Sequence, residues 1–192
     1  ANSLCLHYMT PDSEIKAGDL IQIDVGATVG GLCADISRVF PANGRFSPRQ
    51  LAVYQLVRNC QEEAFAAIRP GVTLKEINDR CREVARIGLA DLEVIKGDDT
   101  VSNYFWHGVC HHLGLDVHDA ADRDAQLMPG MVLPVEPGLY IPAGSKGVAK
   151  KWWNIGIRIE DDVVVTKTGC EVITSGVPKT VDEIEALMAR GQ

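Results

Sequence analysis

The segment from Leu20 to Val29 restricts the fold most, because its apolar and polar residues alternate along the chain. Its apolar residues share one face, and Asp24 lies on the other. A period of two is the signature of a half-buried β-strand. Gly30 and Gly31 then offer the backbone freedom that a tight hairpin turn requires, and a return strand is predicted from Leu32 to Phe40. The sequence therefore predicts a β-hairpin.

Two carboxylates are expected on the same face of this hairpin. If the turn closes on Gly30 and Gly31, Asp35 lies opposite Gly26 and diagonal to Asp24. Diagonal side chains about 7 to 8 Å apart can converge on a shared ion. From the spacing alone, solvated hairpin charges are an equally good interpretation of these two acids.

Two further acids lie within predicted strands in the second half of the chain. Glu136 is surrounded by apolar residues in the strand predicted from Met131 to Tyr140, and Glu160 lies on the polar face of the strand predicted from Ile155 to Val165. If all four carboxylates meet in one cleft, mutual repulsion and desolvation would raise their pKa values. Divalent cations are the natural compensation for that charge.

Four of the five histidines lie in one short segment, from His107 to His118. A single histidine is more often a hydrogen-bonded core or surface residue than a ligand. Imidazole beside a carboxylate cluster, however, suits Zn, Mn, Fe or Co better than Ca. Oxygen-rich ligation with one nitrogen favours Mn or Co over a structural zinc.

Helices are predicted between the hairpin and the later strands. One begins at Ser47, with Pro48 just inside it, and ends before Pro70. Another begins with a capping box at Thr73 and reaches Gly88. A third, short helix is predicted near the end of the chain. Strands, helices and strands in this order, without a regular βαβ alternation, predict an α+β fold.

Composition narrows the classes of function. The chain has 192 residues, with 19 Lys and Arg against 26 Asp and Glu, so neither a nucleic-acid surface nor an anionic-membrane binder is expected. No apolar run approaches the 18 residues or so of a membrane span. The six cysteines are scattered and contain no CxxC pair, which indicates reduced thiols. A single domain in the cytoplasm is expected.

Several segments together resemble the catalytic domain of Xaa-Pro aminopeptidases, within the pita-bread metallopeptidases that also include prolidase and methionine aminopeptidase. The resemblance runs from end to end and implies a curved antiparallel sheet covered by helices. The segments that carry it are LHY at 6–8, GDLIQIDVGA at 18–27, ADISRVFPANGRF at 34–46, HGVCHHLGLDVHD at 107–119, PGMVLPVEPGLYI at 129–141 and GIRIEDD at 156–162.

The resemblance implies a site for two divalent metal ions, usually Mn, with Co or Zn as alternatives. Its implied ligands are Asp24, Asp35, His111, Glu136 and Glu160. Asp24 would chelate one metal, Asp35 and Glu160 would bridge both, and His111 and Glu136 would complete the other. His111 is preferred to His112 because the family's liganding histidine lies four residues after the histidine of HG and seven before that of HD.

The resemblance also implies four residues that act on the substrate. His7, His107 and His118 resemble the histidines that hold substrate and stabilise the tetrahedral intermediate, and Arg158 resembles the active-site arginine beside the bridging glutamate. Tyr140 resembles a nearby supporting residue. Two metals sharing a site can lower the pKa of a bridging water so that hydroxide forms near neutral pH, and can polarise the scissile carbonyl.

The expected function is therefore that of an aminopeptidase that hydrolyses the bond between an amino-terminal residue and a following proline. A peptide with proline at its second position is the expected partner. Two alternatives stay open: a prolidase, which has the same ligands and acts on Xaa-Pro dipeptides, and a catalytically silent peptide-binding protein on the same fold. Methionine aminopeptidase is disfavoured because GLDVHD and GIRIEDD resemble the proline-specific branch.

The resemblance also bears on domain organisation. It implies that residues 1–192 correspond to a pita-bread catalytic domain that is incomplete at its amino terminus and lacks its first helix and strands. On the same basis, the separate amino-terminal domain of the family is expected to be absent from this sequence. An uncovered sheet edge is then expected between residues 20 and 40, and such an edge invites pairing. Association with a missing amino-terminal segment, or formation of a homo-oligomer, is expected on this basis.

Overall fold

The computed structural model describes residues 2–10, 12–96, 99–122 and 124–190. Its elements confirm the α+β class. The strands are β1 (Leu20–Val25), β2 (Thr28–Val29), β3 (Leu32–Cys33), β4 (Ile36–Pro41), β5 (Val132–Val135), β6 (Gly138–Ile141), β7 (Ile155–Arg158), β8 (Asp161–Val165) and β9 (Cys170–Val172). The α-helices are α1 (Pro48–Ala67), α2 (Leu74–Asp91) and α3 (Val181–Ala189). Short 3-10 helices cover Asn2–Leu4, Val101–Asn103 and Lys150–Trp152.

The hairpin closes in the register that its sequence predicts. Gly30 and Gly31 form the turn with φ values of 60° and 86°. The strands β1 and β4 pair antiparallel, with Asp24 opposite Ser37. The same register continues through the short pair of β2 and β3 at the tip.

The two hairpin strands are interrupted, although the sequence predicts each as unbroken. The first strand stops at Val25, and pairing resumes only at the tip. A Cβ atom on Gly26 would lie 1.7 Å from the carbonyl oxygen of Ala34, so the two backbones approach too closely there for any side chain. This interruption leaves Asp35 in an irregular position immediately before β4.

The long helices begin where their capping residues predict. A capping box begins α1 at Ser47, and another begins α2 at Thr73. The second helix, however, continues past Gly88, where the sequence predicts its end. A Cβ atom on Gly88 would lie 2.2 Å from a methyl carbon of Leu56 in α1. This glycine therefore allows two helices to pack closely and does not end the helix.

Each predicted strand of the second half is divided into two. The β5–β8 pair ends with Val135 opposite Asp161, and the β6–β7 pair begins with Gly138 opposite Arg158. Both glutamates predicted as metal ligands lie in the gap between these pairs. The same sheet continues from β8 to β9, which makes β5 an edge strand.

The core lies between the helices and the later strands. Val57 of α1, Ile77 of α2 and Ile157 of β7 are fully buried in it. In contrast, Ile23 and Val25 on the apolar face of β1 are 42% and 56% exposed. Within the described part of the chain, no helix is long and apolar enough to cross a membrane.

Candidate metal centre

Four carboxylates converge from separate places in the fold, and we refer to Asp24, Asp35, Glu136 and Glu160 as the acid cluster. Asp24 projects from β1, and Asp35 lies in the hairpin interruption. Glu136 and Glu160 lie in the strand gaps of the second half. The negative charge of Asp24 raises the pKa of each of the other three. Three of the four acids thus lie at interruptions of the strands, and Asp24 joins them from within β1.

His111 adds a nitrogen donor to the acid cluster. Its segment was predicted as strand and loop, and the structure gives loop with an isolated bridge between Cys110 and Val135. The ring Nε2 atom lies 3.8 Å from a carboxylate oxygen of Asp35 and 3.8 Å from one of Glu136. Its Nδ1 atom lies 3.1 Å from the carbonyl oxygen of His112. Because a carbonyl only accepts, Nδ1 carries the proton and Nε2 is free to bind a metal.

The separations between these donors suit a cation. Ligand atoms of Asp35, His111 and Glu160 all lie within 4.8 Å of one another. Metal–oxygen and metal–nitrogen bonds are about 2.0–2.2 Å long, so two donors of one ion lie at most about 4.4 Å apart. Two pairs meet this limit, since His111 lies 3.8 Å from both Asp35 and Glu136. Carboxylate oxygens with one imidazole form a donor set for a divalent metal.

The protonation of the acid cluster also fits cation binding. Burial raises the pKa of Glu160 to about 9 and that of Glu136 to about 8. Burial and the charge of Asp24 raise the pKa of Asp35 to about 6. Burial lowers the pKa of His111 and keeps its ring neutral. Without a cation, the cluster therefore holds protons at neutral pH, and a bound cation would replace them.

Arg158 is the positive group beside the acid cluster. Its side chain is 4% exposed and forms an ion pair with Asp24. The Nε atom donates to the Ser37 hydroxyl at 3.1 Å and lies 4.0 Å from Glu136. Arg158 therefore joins β7 to the hairpin at the level of the acids.

His107 is held in one orientation. Its Nδ1 atom lies 2.9 Å from the carbonyl oxygen of Gly108, so that nitrogen carries the proton. The Tyr140 hydroxyl then donates to Nε2 at 2.7 Å and accepts from Arg158 at 3.4 Å. Burial lowers the pKa of His107. A neutral ring thus lies 3.8 Å from Glu136.

The other two predicted histidines lie at the exposed side of the site. His118 packs edge-on against His111, with ring centroids 4.5 Å apart. His7 is exposed. Within the described residues, neither ring makes a hydrogen bond.

Two supporting residues were not predicted. The Ser37 hydroxyl donates to a carboxylate oxygen of Glu160 at 2.8 Å. Asp162 accepts from the backbone N–H of Asp35 at 3.1 Å, and its other oxygen has no partner among the described residues. Ser37 follows Asp35 by two positions, so the alternation of a β-strand could have predicted that both side chains lie on the same face. For Asp162, the only indication was an acidic residue next to a run of valines.

The fold resembles that of known peptidases. A profile of metallopeptidase family M24 matches residues 1–167. The chain belongs to metallopeptidase family M24. The M24 membership and the pita-bread fold confirm the family and fold that the sequence motifs predicted.

Three known proteins show how far this chain matches other peptidases. The Xaa-Pro aminopeptidase of Escherichia coli (strain K12) is 42% identical over 97% of this chain and 45% of that protein. The structure of Pseudomonas aeruginosa aminopeptidase PepP superposes with a TM-score of 0.94 at 47% identity, over 98% of this chain and 46% of that one. The structure of proline aminopeptidase P II from Yersinia pestis superposes with a TM-score of 0.93 at 42% identity, over 98% of this chain and 46% of that one. This M24 chain spans about half the length of these relatives.

Proposed function

We propose that residues 1–192 form the catalytic part of a dinuclear metal-dependent aminopeptidase that cleaves before a proline at the second position. The convergence of Asp35, His111 and Glu160 within 4.8 Å, beside Glu136 and Asp24, carries this proposal. The names of the relatives support the aminopeptidase activity and the proline preference.

The five proposed ligands are Asp24, Asp35, His111, Glu136 and Glu160. When bound, a pair of divalent ions supplies a water of lowered pKa and polarises the scissile carbonyl. The predominance of oxygen donors supports Mn or Co over Zn. The Ser37 hydroxyl would orient Glu160 as a ligand, because it donates to one of its carboxylate oxygens.

The remaining side chains would hold the substrate. His7 and His118 have free ring nitrogens at the exposed side and are proposed to contact the peptide. His107 would take part as a neutral ring whose orientation Tyr140 and Gly108 fix. Since both ring nitrogens of His107 are engaged in this way, ring N–H groups of His7 or His118 would be the ones available to stabilise a developing oxyanion. Arg158 would keep Asp24 and Tyr140 in place.

A metal titration combined with three substrates tests the proposal. The protein is loaded with Mn²⁺, its metal content is measured, and it is given Ala-Pro-Ala, Ala-Ala-Ala and the dipeptide Ala-Pro. We expect about two bound ions and release of alanine from Ala-Pro-Ala alone. Cleavage restricted to Ala-Pro would indicate a prolidase. A folded, metal-loaded protein that binds Ala-Pro-Ala without hydrolysing it would indicate a silent peptide-binding protein.

A further inference from the structure

We propose that Gln61 of α1 is a positioning residue that sets the separation between Glu136 and Glu160. This inference rests on the proposed metal site and extends it to a helix that contributes no ligand. Gln61 is fully buried, although it carries an uncharged polar amide. A buried amide needs hydrogen-bond partners, and those of Gln61 lie beside the two glutamates.

The amide nitrogen of Gln61 bridges the two strand gaps. It donates to the carbonyl oxygen of Val135 at 3.1 Å and to that of Ile159 at 3.3 Å. Val135 directly precedes Glu136, and Ile159 directly precedes Glu160. One NH₂ group therefore holds the backbone ahead of both acids, at the place where regular strand pairing is interrupted.

A buried charge network fixes the orientation of that amide. Lys179 donates to the Gln61 amide oxygen at 3.3 Å and to Asp161 at 2.8 Å. An ammonium group has only donors, whereas the two backbone carbonyls have only acceptors, so the amide can fit in one orientation. Asp161 is fully buried and is also paired with Arg38 at 2.8 Å.

Arg38 connects this network back to the same glutamate. Its guanidinium donates to the carbonyl oxygen of Glu160 and, at 3.0 Å, to that of Ser37. The N–H of Glu160 donates to the carbonyl oxygen of Ser37 at 3.1 Å. The backbone of Glu160 is thus held from the hairpin side by residues 37–38 and from the helix side by Gln61.

Glutamine suits this position because it combines two donors with one acceptor at the end of a three-atom stem. Glutamate has a similar shape but lacks the NH₂ donors, and methionine has a similar length without either function. Groups that orient metal ligands typically change metal affinity about 10–100-fold when they are removed. We expect an effect near the lower end, about 10-fold, because Gln61 acts through the backbone.

The test compares Gln61→Met with Gln55→Met, a matched control on the exposed face of the same helix. Mn²⁺ affinity and stoichiometry are measured by titration calorimetry well below the melting temperature of each variant. The electron paramagnetic resonance spectrum of bound Mn²⁺ is recorded as a measure of coupling between the two ions. A purely structural role would lower the melting temperature without changing the affinity or the spectrum of the folded protein.

We expect Gln61→Met to bind Mn²⁺ about 10-fold more weakly, with altered coupling between the ions, and Gln55→Met to match the wild type. A folded Gln61→Met protein with unchanged affinity and spectrum would overturn the inference. If Gln61→Met cannot be purified, Gln61→Glu decides in the same way, because it keeps the shape of the side chain and removes the NH₂ donors. Failure of the wild type to bind Mn²⁺ would instead refute the proposed function.

Discussion

Binding of Mn²⁺ to the acid cluster should release a predictable number of protons. In the metal-free protein the pKa of Glu160 is about 9, that of Glu136 about 8 and that of Asp35 about 6. At pH 7 these values correspond to about 0.99, 0.9 and 0.1 bound protons. His111 adds none, because its pKa is lowered and its ring is already neutral. Ligands bind a metal in their deprotonated form, so the carboxyls should release about two protons.

Calorimetry in buffers of different ionisation enthalpy measures the total number of protons released, which includes any proton lost by a metal-bound water. The carboxyls should contribute about two protons at pH 7 and well under one at pH 9.5, so the total should fall by about one proton or more between these two pH values. Mn²⁺ affinity should therefore rise between pH 6 and pH 8. A Glu160→Gln variant should release about one proton fewer at pH 7. Release of less than about half a proton by the wild type, or no difference in the variant, would refute the reasoning.

Three further outcomes follow from the same geometry. The acid cluster binds protons more tightly in the folded protein than in the unfolded chain, where Asp and Glu titrate near pH 4. Its stabilisation of the metal-free protein should therefore be complete below about pH 4 and be lost as the pH rises to about 9. Differential scanning fluorimetry in EDTA that shows a flat or rising melting temperature between about pH 5 and pH 9 would contradict this. Gly26→Ala should cost about 1–3 kcal/mol in urea unfolding and weaken Mn²⁺ binding, because its Cβ would lie 1.7 Å from the Ala34 carbonyl oxygen. Gly176→Ala, with no atom within 4 Å of its added Cβ, is the steric control and should change neither quantity. Ser37→Ala removes a hydrogen bond that lowers the pKa of Glu160. Glu160 should then lose its proton at a higher pH, so the rise of Mn²⁺ affinity with pH should shift to higher pH. An unchanged dependence of Mn²⁺ affinity on pH would show that this bond is unimportant.

Local patterns in the sequence were enough to predict much of the fold. The glycine pair fixed the hairpin register, in which Asp24 lies opposite Ser37. The capping boxes at Ser47 and Thr73 placed the starts of both long helices. These features depend on residues close together in the chain, so they can be recognised without the rest of the structure.

The motifs also indicated which side chains gather at the site, but not how they are held. The five proposed ligands lie together in the structure, and their role in metal binding stays a prediction until metal is measured. No pattern in the sequence indicated that Gln61 supports two of them, because an isolated glutamine in a helix has no characteristic spacing. The role predicted for Gly88 as a helix end was wrong, because the packing partner Leu56 lies in another helix.

The sequence by itself determined the strand and helix starts, the hairpin register and the family, because each is encoded by neighbouring residues or by a motif. Only the tertiary structure decided where the strands are interrupted and which nitrogen of His111 is free. It also decided the raised pKa values of Glu136 and Glu160. Burial and charge repulsion depend on groups that are distant in the chain and meet only when it folds.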